Sequence, residues 1–453
     1  MRIKKINCSS ARLRPCLHLV LGMLALLVSL AQPSSAAPKT LPTDFNIVLI
    51  VIDTLRADHL PAYGYRQSTA PFLSKLAAES VLFKRAIATS SWTSPATASI
   101  MTSLYPFQHG VLMGMNSTKK LWKQDPSIKL NRIPEEVTTI AEFLKGAGYR
   151  TFGVSDNGNI CTAMGFTQGF DHFKTYKNKG AKFVNKTVLG WRTKLKQSPK
   201  SFLYLQYMDP HTPYLRHKPW YKNRGNMKDN TVAAYDSEIN FLDKKIEALY
   251  TALGWDTNTL IIVSSDHGEE FWEHGKLGHG KSLFSEVLHV PLFFYMPKLG
   301  FKPQIVSTNV SPIDIAPTLR AMLGLKEDGA LSGESLTPFL FGKATPKSER
   351  YFLGQVWKQK PDGREVEMTS ITYKDWRYIT SQTKDWKYPA KVDRINKMLF
   401  SLGADPLEQT SIIETHLKIK EQLILQISNM QRTLKKYPQA FSDYDFTQLK
   451  GVH

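Results

Sequence analysis

The sequence predicts an α/β fold with a mostly parallel sheet and helices on both of its faces. Three largely apolar runs, 47–52, 201–208 and 260–264, are typical of strands that are buried on both sides. Helical patterns stand between these runs, and alternating strands and helices place the strands parallel in one sheet. We therefore predict one large domain over residues 41–345.

The other elements of this domain follow from apolar spacing and from Pro and Gly. A helix is predicted over 69–80, with Pro71 near its start, and Gly146 is expected to end another. Residues 233–253 carry apolar side chains at helical spacing and predict a long amphipathic helix. The remaining predicted elements are helices over 95–104, 136–145 and 311–325, and strands over 149–155 and 290–295.

The pattern changes near residue 345. Shorter alternating segments predict antiparallel strands, and apolar residues at helical spacing predict a helix over 408–435. We interpret 346–453 as a small α+β subdomain and expect the tail after Tyr437 to be loosely ordered. The three predicted strands are 350–357, 366–372 and 376–381.

Residues 1–36 have the pattern of a secretory signal peptide. A basic start precedes an apolar run at 17–31, and Ser34-Ser35-Ala36 supplies small residues for cleavage. An uncleaved N-terminal anchor is the alternative, although the run is shorter than the about 20 residues that span a bilayer. We expect an exported protein, periplasmic or secreted, with no transmembrane segment after cleavage. Cys161 would be its only cysteine, so no internal disulfide is expected.

The net charge of +20, about +15 without the signal peptide, favours an anionic partner. An anionic ester, for example on an envelope glycan or a lipid headgroup, fits this charge. No nucleic-acid-binding motif accompanies the basic residues, so no nucleic-acid partner is expected. Two basic segments, 113–132 with Lys119 and 176–200, are expected to line or cover the entrance of the site.

Polar motifs follow the predicted strands at the edge where α/β sheets bind ligands. Asp53 ends the first strand, where a carboxylate is costly unless it is paired or holds a metal. A turn-capping Asp is the alternative. Asp266-His267 follows another strand and joins an oxygen ligand to an imidazole, a pair suited to a divalent metal.

Thr93 lies just before a predicted helix that contains Pro95, where free N–H groups favour an anion. Its hydroxyl is a candidate nucleophile, and a simple N-cap is the alternative. His211, after a further strand, and His279, in the run that begins at Asp266, are candidate contacts of the reacting group. A structural role is the alternative for His211.

These motifs resemble the sulfatase family of the alkaline phosphatase superfamily over about residues 45–410. The family carries Cys or Ser where this chain has Thr93, and it oxidises that residue to formylglycine. A Thr cannot become an aldehyde because its Cβ bears a methyl group. Thr54 stands in place of a metal-binding Asp of the family, and Thr97 in place of its Arg.

The resemblance implies roles for the motif residues. Asp53, Asp266 and His267, with Thr93, would hold the metal, and Arg56, His211 and His279 would bind substrate. A structural role is the alternative for Arg56. Thr93, His211 and His279 would be catalytic. Zn²⁺ or Mn²⁺ suits the histidine content best, and Ca²⁺ or Mg²⁺ is the alternative.

Three functions remain open at this stage. A phosphate ester would be cleaved or transferred through Thr93, as in the related phosphoethanolamine and phosphoglycerol transferases, which also carry Thr there. A sulfuric ester hydrolase that works without formylglycine is the second alternative. A catalytically inactive, anion-binding envelope protein is the third, and its metal content would distinguish it from an enzyme.

Overall fold

A mostly parallel sheet carries the functional edge of the molecule. The computed structural model describes residues 44–448 except 257, 297, 299, 327–330, 343–348, 360–363 and 386–391, so the signal-peptide prediction for 1–36 lies outside the described residues. The described strands are β1 (Asn46–Ile52), β2 (Val81–Ile87), β3 (Leu130–Arg132), β4 (Arg150–Ser155), β5 (His172–Thr175), β6 (Ser201–Tyr207), β7 (Thr259–Ser264), β8 (Glu270–Phe271), β9 (Leu277–Gly278), β10 (His289–Val290), β11 (Leu292–Tyr295), β12 (Gln304–Val310), β13 (Tyr351–Gln359), β14 (Arg364–Tyr373), β15 (Trp376–Asp385), β16 (Val392–Ser401) and β17 (Ala440–Ser442).

Nine of these described strands form the central sheet, in the order β10-β2-β11-β7-β1-β6-β4-β5 with β12 beside β2. β1 lies between β6 and β7 and is parallel to both. Its register pairs Ile52 with Tyr207 and Val51 with Ser264. The residues that follow β1, β6 and β7 therefore emerge together at one edge of the sheet. The predicted mostly parallel α/β architecture is confirmed.

Helices cover the sheet, as the apolar runs predict. The helices of the described chain are α1 (Pro71–Ala78), α2 (Thr93–Thr102), α3 (Pro106–His109), α4 (Met115–Trp122), α5 (Ile140–Gly146), α6 (Ala181–Gly190), α7 (Arg192–Gln197), α8 (Met227–Leu253), α9 (Ser285–Leu288), α10 (Ile315–Met322), α11 (Thr337–Leu340) and α12 (Leu417–Thr433). Alternate β1 residues such as Ile50 pack in one core with Val184 of α6 and Ile246 of α8. Leu49, which points to the other face, is also fully buried, so both faces of β1 are covered. None of the described helices is long and apolar enough to cross a lipid bilayer.

Several predicted boundaries change in the structure. β2 and β12 were not predicted, because Lys84 and Arg85 interrupt the apolar run of β2 and β12 is mostly polar. The strand predicted over 290–295 is divided at Pro291, which has no N–H to donate to a ladder. The last long helix begins at Leu417, nine residues later than predicted.

The C-terminal part contains the predicted antiparallel sheet and one further strand. β13, β14, β15 and β16 pair in sequence order, and residues of α12 such as Leu423 pack in the same core as Ile371 of β14. The expectation of a loosely ordered tail is wrong as far as residue 448. β17 pairs with β3, and Phe446 is buried and packs against Trp122.

A buried polar cluster connects the C-terminal part to the segment that follows Asp266. Arg377 lies 3.2 Å from the Glu408 carboxylate, which also accepts the backbone N–H of Ser285. His274 Nδ1 lies 2.7 Å from Glu286 Oε1, and its Nε2 lies 3.1 Å from the Glu408 carbonyl oxygen. Because both neighbours accept hydrogen bonds, the His274 ring satisfies both only as an imidazolium. Burial alone would lower the pKa of His274, but Glu286 and the Glu408 carbonyl outweigh it and raise the pKa to about 9.

This cluster predicts a loss of stability at alkaline pH. The folded protein keeps a proton on His274 that the unfolded chain releases near pH 6.5, so the unfolding free energy should fall by about 2 kcal/mol up to pH 9, after allowance for solvent screening. Urea unfolding across this range should show the fall in the wild type and a flatter profile in His274→Gln. His416→Gln, at an exposed histidine, is the matched control. An unchanged pH profile in His274→Gln would contradict the assignment.

Candidate active site

Asp53, Asp266 and His267 form a buried cluster at the C-terminal edge of the sheet. Asp53 directly follows β1, and Asp266 lies two residues beyond its neighbour β7. One potential ligand atom from each residue lies within 4.8 Å of the other two. The three side chains, predicted as metal ligands, are therefore brought together by the parallel pairing of two adjacent strands.

The cluster leaves two carboxylate oxygens, Asp53 Oδ1 and Asp266 Oδ2, without a hydrogen-bond partner among the described residues. These oxygens lie 3.9 and 3.7 Å from Nε2 of His267. Nδ1 of His267 lies 2.8 Å from the carbonyl oxygen of Gly268 and must donate to it, so Nε2 carries the lone pair. Two unpartnered oxygens beside an imidazole lone pair fit a divalent cation.

The electrostatics of the cluster favour the same conclusion. Burial raises the pKa of Asp266 to about 7, and burial and the Asp266 carboxylate raise the pKa of Asp53. Burial and the neighbouring His279 lower the pKa of His267 to about 4, so its ring is neutral. Two buried carboxylates that repel each other are costly unless a cation compensates their charge.

Thr93 is the first residue of α2 and lies beside this cluster. Its Oγ1 is 3.4 Å from Asp53 Oδ2 and 3.3 Å from His267 Nε2. The N-cap residue is Trp92, and no side chain caps the helix, so the N-cap alternative for Thr93 is wrong. All of α2 is buried, and Pro95 is accommodated in its first turn. The hydroxyl is therefore held by a rigid element next to the candidate ligands.

Two histidines line the cavity next to Thr93. Thr93, His211 and His279 all border this cavity, which has a volume of about 580 Å³. The rings of His211 and His279 lie 5.0 Å apart, and Nδ1 of His279 is 2.8 Å from Glu269 Oε1. Burial would lower the pKa of His279, but the Glu269 carboxylate outweighs burial and raises it. Tyr214 donates to the other oxygen of Glu269, which fixes this carboxylate in place.

Comparison with known proteins shows to which family the chain belongs. The profile of the sulfatase family matches residues 45–325, which is more than half of the chain. The chain belongs to the sulfatase family. The ulvan-active sulfatase of Formosa agariphila is 24% identical over 429 residues, covering 82% of this chain and 78% of that protein.

Solved structures agree on the fold. A 2-O GAG sulfatase gives a TM-score of 0.67 at 18% identity, covering 86% of this chain and 92% of that chain. The phosphonate monoester hydrolase of Agrobacterium radiobacter gives the same TM-score and identity, covering 85% and 96%. The protein is thus a sulfatase-family hydrolase with the alkaline-phosphatase-like fold. This family generally depends on divalent metals, and the cluster around Asp53 supplies a possible metal site.

Two threonines that the resemblance predicts to replace an Asp and an Arg of the family are buried, and the N–H of Thr54 lies 3.4 Å from Asp266 Oδ1. Thr54 and Thr97 are fully buried, and neither hydroxyl has a hydrogen-bond partner among the described residues. Thr54 also has a φ of 59°, a left-handed conformation that is unfavourable for a β-branched residue. Among the described residues, the candidate metal centre therefore has two carboxylates, those of Asp53 and Asp266.

Arg56 does not occupy the predicted substrate-binding position. Its Nε and Nη2 donate to Asp58 at 2.9 and 2.8 Å, while Nη1 donates to Glu273 and to the carbonyl of Glu269. The side chain is 6% exposed, and Arg56 is not among the residues that line the cavity. These contacts hold the segment that carries Glu269, so we assign Arg56 a positioning role in place of substrate binding.

Sequence reasoning missed Asn157 and gave Glu269 no role. Asn157 follows β4, and its Nδ2 donates to Asp53 Oδ2 at 2.8 Å, while its Oδ1 accepts the N–H of Asn159. The sequence position of Asn157 could have revealed it. Like Asp53, Asn157 follows a strand of the parallel sheet, because β4 is parallel to β6, and residues at such strand ends lie at the ligand-binding edge. Asn157 orients Asp53, and Glu269 orients His279.

Asn157→Ala should weaken metal binding by about 10- to 100-fold, because a residue that orients a ligand contributes on this scale. The loss of its N–H frees the Asp53 carboxylate to rotate. Calorimetric titration with Zn²⁺ or Mn²⁺ measures the change. Asn116→Ala is the control, since Asn116 lines the same cavity and, within the described chain, forms no hydrogen bond with Asp53. Equal affinities for the two variants would contradict this role of Asn157.

Proposed function

We propose that this sulfatase-family protein is a metal-dependent enzyme that cleaves or transfers a phosphate ester, with Thr93 as its nucleophile. The observation that carries the proposal is the position of Thr93 Oγ1, within 3.4 Å of both Asp53 and His267 at the start of a buried helix. A hydroxyl beside a metal-ligand set, at a helix N-terminus that favours anions, is placed to attack an anionic ester.

The identity of residue 93 favours phosphorus over sulfur. A formylglycine hydrate has a second hydroxyl that expels sulfate by elimination, and Thr93 has no such group. A sulfated threonine would therefore tend to persist. A phosphorylated threonine has another route, because water or an acceptor alcohol attacks phosphorus in line.

The residues present fit a divalent cation, and Asp53, Asp266, His267 and Thr93 would hold it. When bound, the cation would lower the pKa of the hydroxyl and polarise the ester as a Lewis acid. Zn²⁺ or Mn²⁺ suits a site with one imidazole and two carboxylates better than Ca²⁺ or Mg²⁺ does.

The chain's own groups then supply the remaining steps. Thr93 Oγ1 gives its proton to Asp53 Oδ2, the carboxylate oxygen to which it donates at 3.4 Å, and forms a bond to phosphorus as the ester P–O bond breaks. His279, whose Nδ1 is hydrogen-bonded to Glu269, or His211 gives a proton to the leaving oxygen. Attack by water on the phosphothreonine releases phosphate and restores the hydroxyl, whereas attack by an alcohol completes a transfer.

Hydrolysis of sulfate esters is the second candidate. It is supported by the ulvan-active sulfatase, whose alignment covers most of this chain. Either activity fits the positive charge of the chain and an anionic glycan or lipid-headgroup ester as substrate. We further propose that the protein works outside the cytoplasm, as the predicted signal peptide implies.

The deciding experiment offers the metal-loaded protein three esters of 4-nitrophenol: a phosphate monoester, a phosphate diester and a sulfate. We expect turnover of a phosphate ester that exceeds turnover of the sulfate and disappears on chelation. Turnover of the sulfate alone would overturn the proposal in favour of the second candidate. Stoichiometric metal with no turnover of any ester, natural glycan sulfates included, would favour an anion-binding protein.

A further inference from the structure

The positive charge of the chain is concentrated in one segment. Residues 174–228 contain 14 lysines and arginines but only one acidic residue, Asp209, so their formal charge of +13 is most of the charge expected without the signal peptide. Both oxygens of Asp209 accept the N–H of Ala181, at 3.1 and 3.0 Å, at the start of α6. The buried strand β6 divides the basic residues of this segment into two groups, one before the strand and one after it.

The two groups meet on one side of the molecule. Lys182 of α6 and Leu215, in the loop after β6, line the same groove, which has a volume of about 280 Å³. Both elements are fixed to α8. The Asn185 side chain of α6 donates to the Lys245 carbonyl at 2.8 Å, and the N–H of Leu215 donates to Glu238 Oε1 at 2.7 Å. The helix α8 therefore holds the two groups side by side.

The electrostatics of the loop indicate the same proximity. Burial, Lys182 and Lys245 lower the pKa of His217, which lies in the loop after β6. The His217 ring stacks on Phe241 of α8 with the ring centroids 4.2 Å apart, and Lys218 comes next in the chain. Lys218 of the loop is thus a neighbour of the lysines of α6.

Three lysines of this surface are exposed. Lys182 and Lys186 lie one turn apart on α6, and Lys218 lies in the loop. Within the described residues, none of the three forms an ion pair with a carboxylate. The nearby Glu238 side chain belongs to a residue that is 2% exposed, and it already accepts hydrogen bonds from the loop. The charge of these lysines therefore faces solvent.

Apolar side chains are exposed beside these lysines. Phe183 is 45% exposed and Leu215 is 56% exposed, although both belong to residue types that are usually buried. We call the surface formed by Lys182, Phe183, Lys186, Leu215 and Lys218 the basic face. Apolar side chains exposed among cations are typical of surfaces that bind lipid interfaces. A soluble polyanion would attract the lysines but would offer the two apolar side chains no apolar layer.

The basic face lies next to the cavity beside Thr93. The linings of the groove and of this cavity have Asn178, Met208 and His211 in common. The groove therefore leads from the basic face to one of the candidate catalytic histidines.

We propose that the basic face docks the protein on an anionic lipid bilayer, with its lysines at the headgroups and with Phe183 and Leu215 inserted between them. Charge complementarity attracts the face to such a membrane, where each lysine contributes about fivefold to binding. Burial of the two apolar side chains adds to this affinity and restricts docking to a lipid surface. Docking in this orientation brings the groove, and with it the cavity beside Thr93, to the headgroups. The inference concerns location and does not depend on which ester reacts at Thr93.

Vesicle flotation tests the docking surface. The protein is used without residues 1–36, so that the apolar run at 17–31 cannot bind lipid. The vesicles contain phosphatidylcholine alone or with about one-third phosphatidylglycerol. We expect binding to the anionic vesicles to be at least about tenfold tighter at about 0.1 M salt, and we expect this preference to be lost at about 0.5 M salt.

A triple variant tests the lysines of the basic face. Replacing Lys182, Lys186 and Lys218 by Gln should weaken binding to the anionic vesicles about a hundredfold, since each lysine contributes about fivefold. The matched control removes the same charge from exposed lysines of β2, of the segment before β12 and of α12, and it should bind as the wild type does within about twofold. The β2 and β12 strands lie at the opposite end of the central sheet from β5. The control substitutions are Lys84→Gln, Lys302→Gln and Lys418→Gln.

A double variant distinguishes a lipid surface from a soluble polyanion. Phe183→Ser with Leu215→Ser should weaken binding to the anionic vesicles about tenfold and should leave calorimetric binding of dextran sulfate unchanged. Leu417→Ser with Leu425→Ser is the matched control, because both leucines are exposed on α12. Equal thermal unfolding midpoints establish that the variants are folded.

Four results would overturn the inference: no binding to either kind of vesicle, equal binding to both, equal losses in the lysine variant and its control, or vesicle binding that does not change in the Phe183 and Leu215 variant. The last result, together with binding of dextran sulfate, would assign the basic face to a soluble polyanion. None of these measurements uses turnover, so a failure of the proposed ester chemistry would leave their outcome unaffected.

Discussion

Thr93→Ala should reduce turnover of phosphate esters by about a thousandfold or more, because it removes the attacking oxygen. Thr93→Ser retains a hydroxyl at the start of α2 and should keep activity within about tenfold of the wild type. Acid quenching of the wild type during turnover should leave one phosphoryl group on the peptide that contains Thr93. Steady-state rates and peptide mass spectrometry measure both effects.

A second threonine of α2 provides the control for this series. Thr102 lies at the far end of the helix, where its Oγ1 donates to the Ala98 carbonyl at 2.7 Å. Thr102→Ala should leave the rate constants close to those of the wild type, whatever its effect on stability. Phosphate-ester turnover that persists in a folded Thr93→Ala protein would show that Thr93 is not the nucleophile.

Asp266→Asn should stabilise the metal-free protein and remove most of the stabilisation that a bound metal gives. In metal-free protein at pH 8, the substitution removes a buried charge that repels Asp53, so the unfolding free energy should rise by about 1 to 3 kcal/mol. A saturating cation should then stabilise the wild type by about 2.7 kcal/mol at 100 times Kd and the variant hardly at all. Thermal or urea unfolding with added Zn²⁺, Mn²⁺ or chelator measures both states.

Asp443→Asn is the control for the loss of one negative charge, since Asp443 is exposed and remote in sequence from the cluster. It should respond to metal as the wild type does. If metal-free Asp266→Asn were less stable than the wild type, and if metal stabilised both equally, the assignment of Asp266 as a ligand would be wrong.

The sequence predicted the site best where a strand end fixes the position of a side chain. Asp53 and Asp266 were found because each follows a buried run, and parallel neighbours must deliver such residues to one edge. Asn157 follows the same rule but was missed, because an amide carries no distinctive chemistry until its partner is known. Its role appears only in the 2.8 Å contact with Asp53.

Other differences arise from contacts between distant parts of the chain. Arg56 was expected at the substrate, yet its guanidinium is bound by Asp58 and Glu273, and the latter contact joins residues 217 positions apart. β2 and β12 form despite polar residues, because each pairs with a neighbour in the sheet. Local patterns contain no information on such pairings. The long amphipathic helix α8 depends on local spacing instead, and 233–253 of its residues 227–253 were predicted.

The salt bridge between Arg377 and Glu408 has a consequence for how this protein evolves. Both side chains are almost fully buried. The Glu408 carboxylate also accepts the N–H of Ser285, and the Glu408 carbonyl oxygen accepts a hydrogen bond from His274. A chain ending near residue 345 would leave His274 and the Ser285 N–H without these partners beside the segment that carries His279. The C-terminal part is therefore not an exchangeable module, and recombination that replaced it would have to preserve an acidic residue and its arginine together.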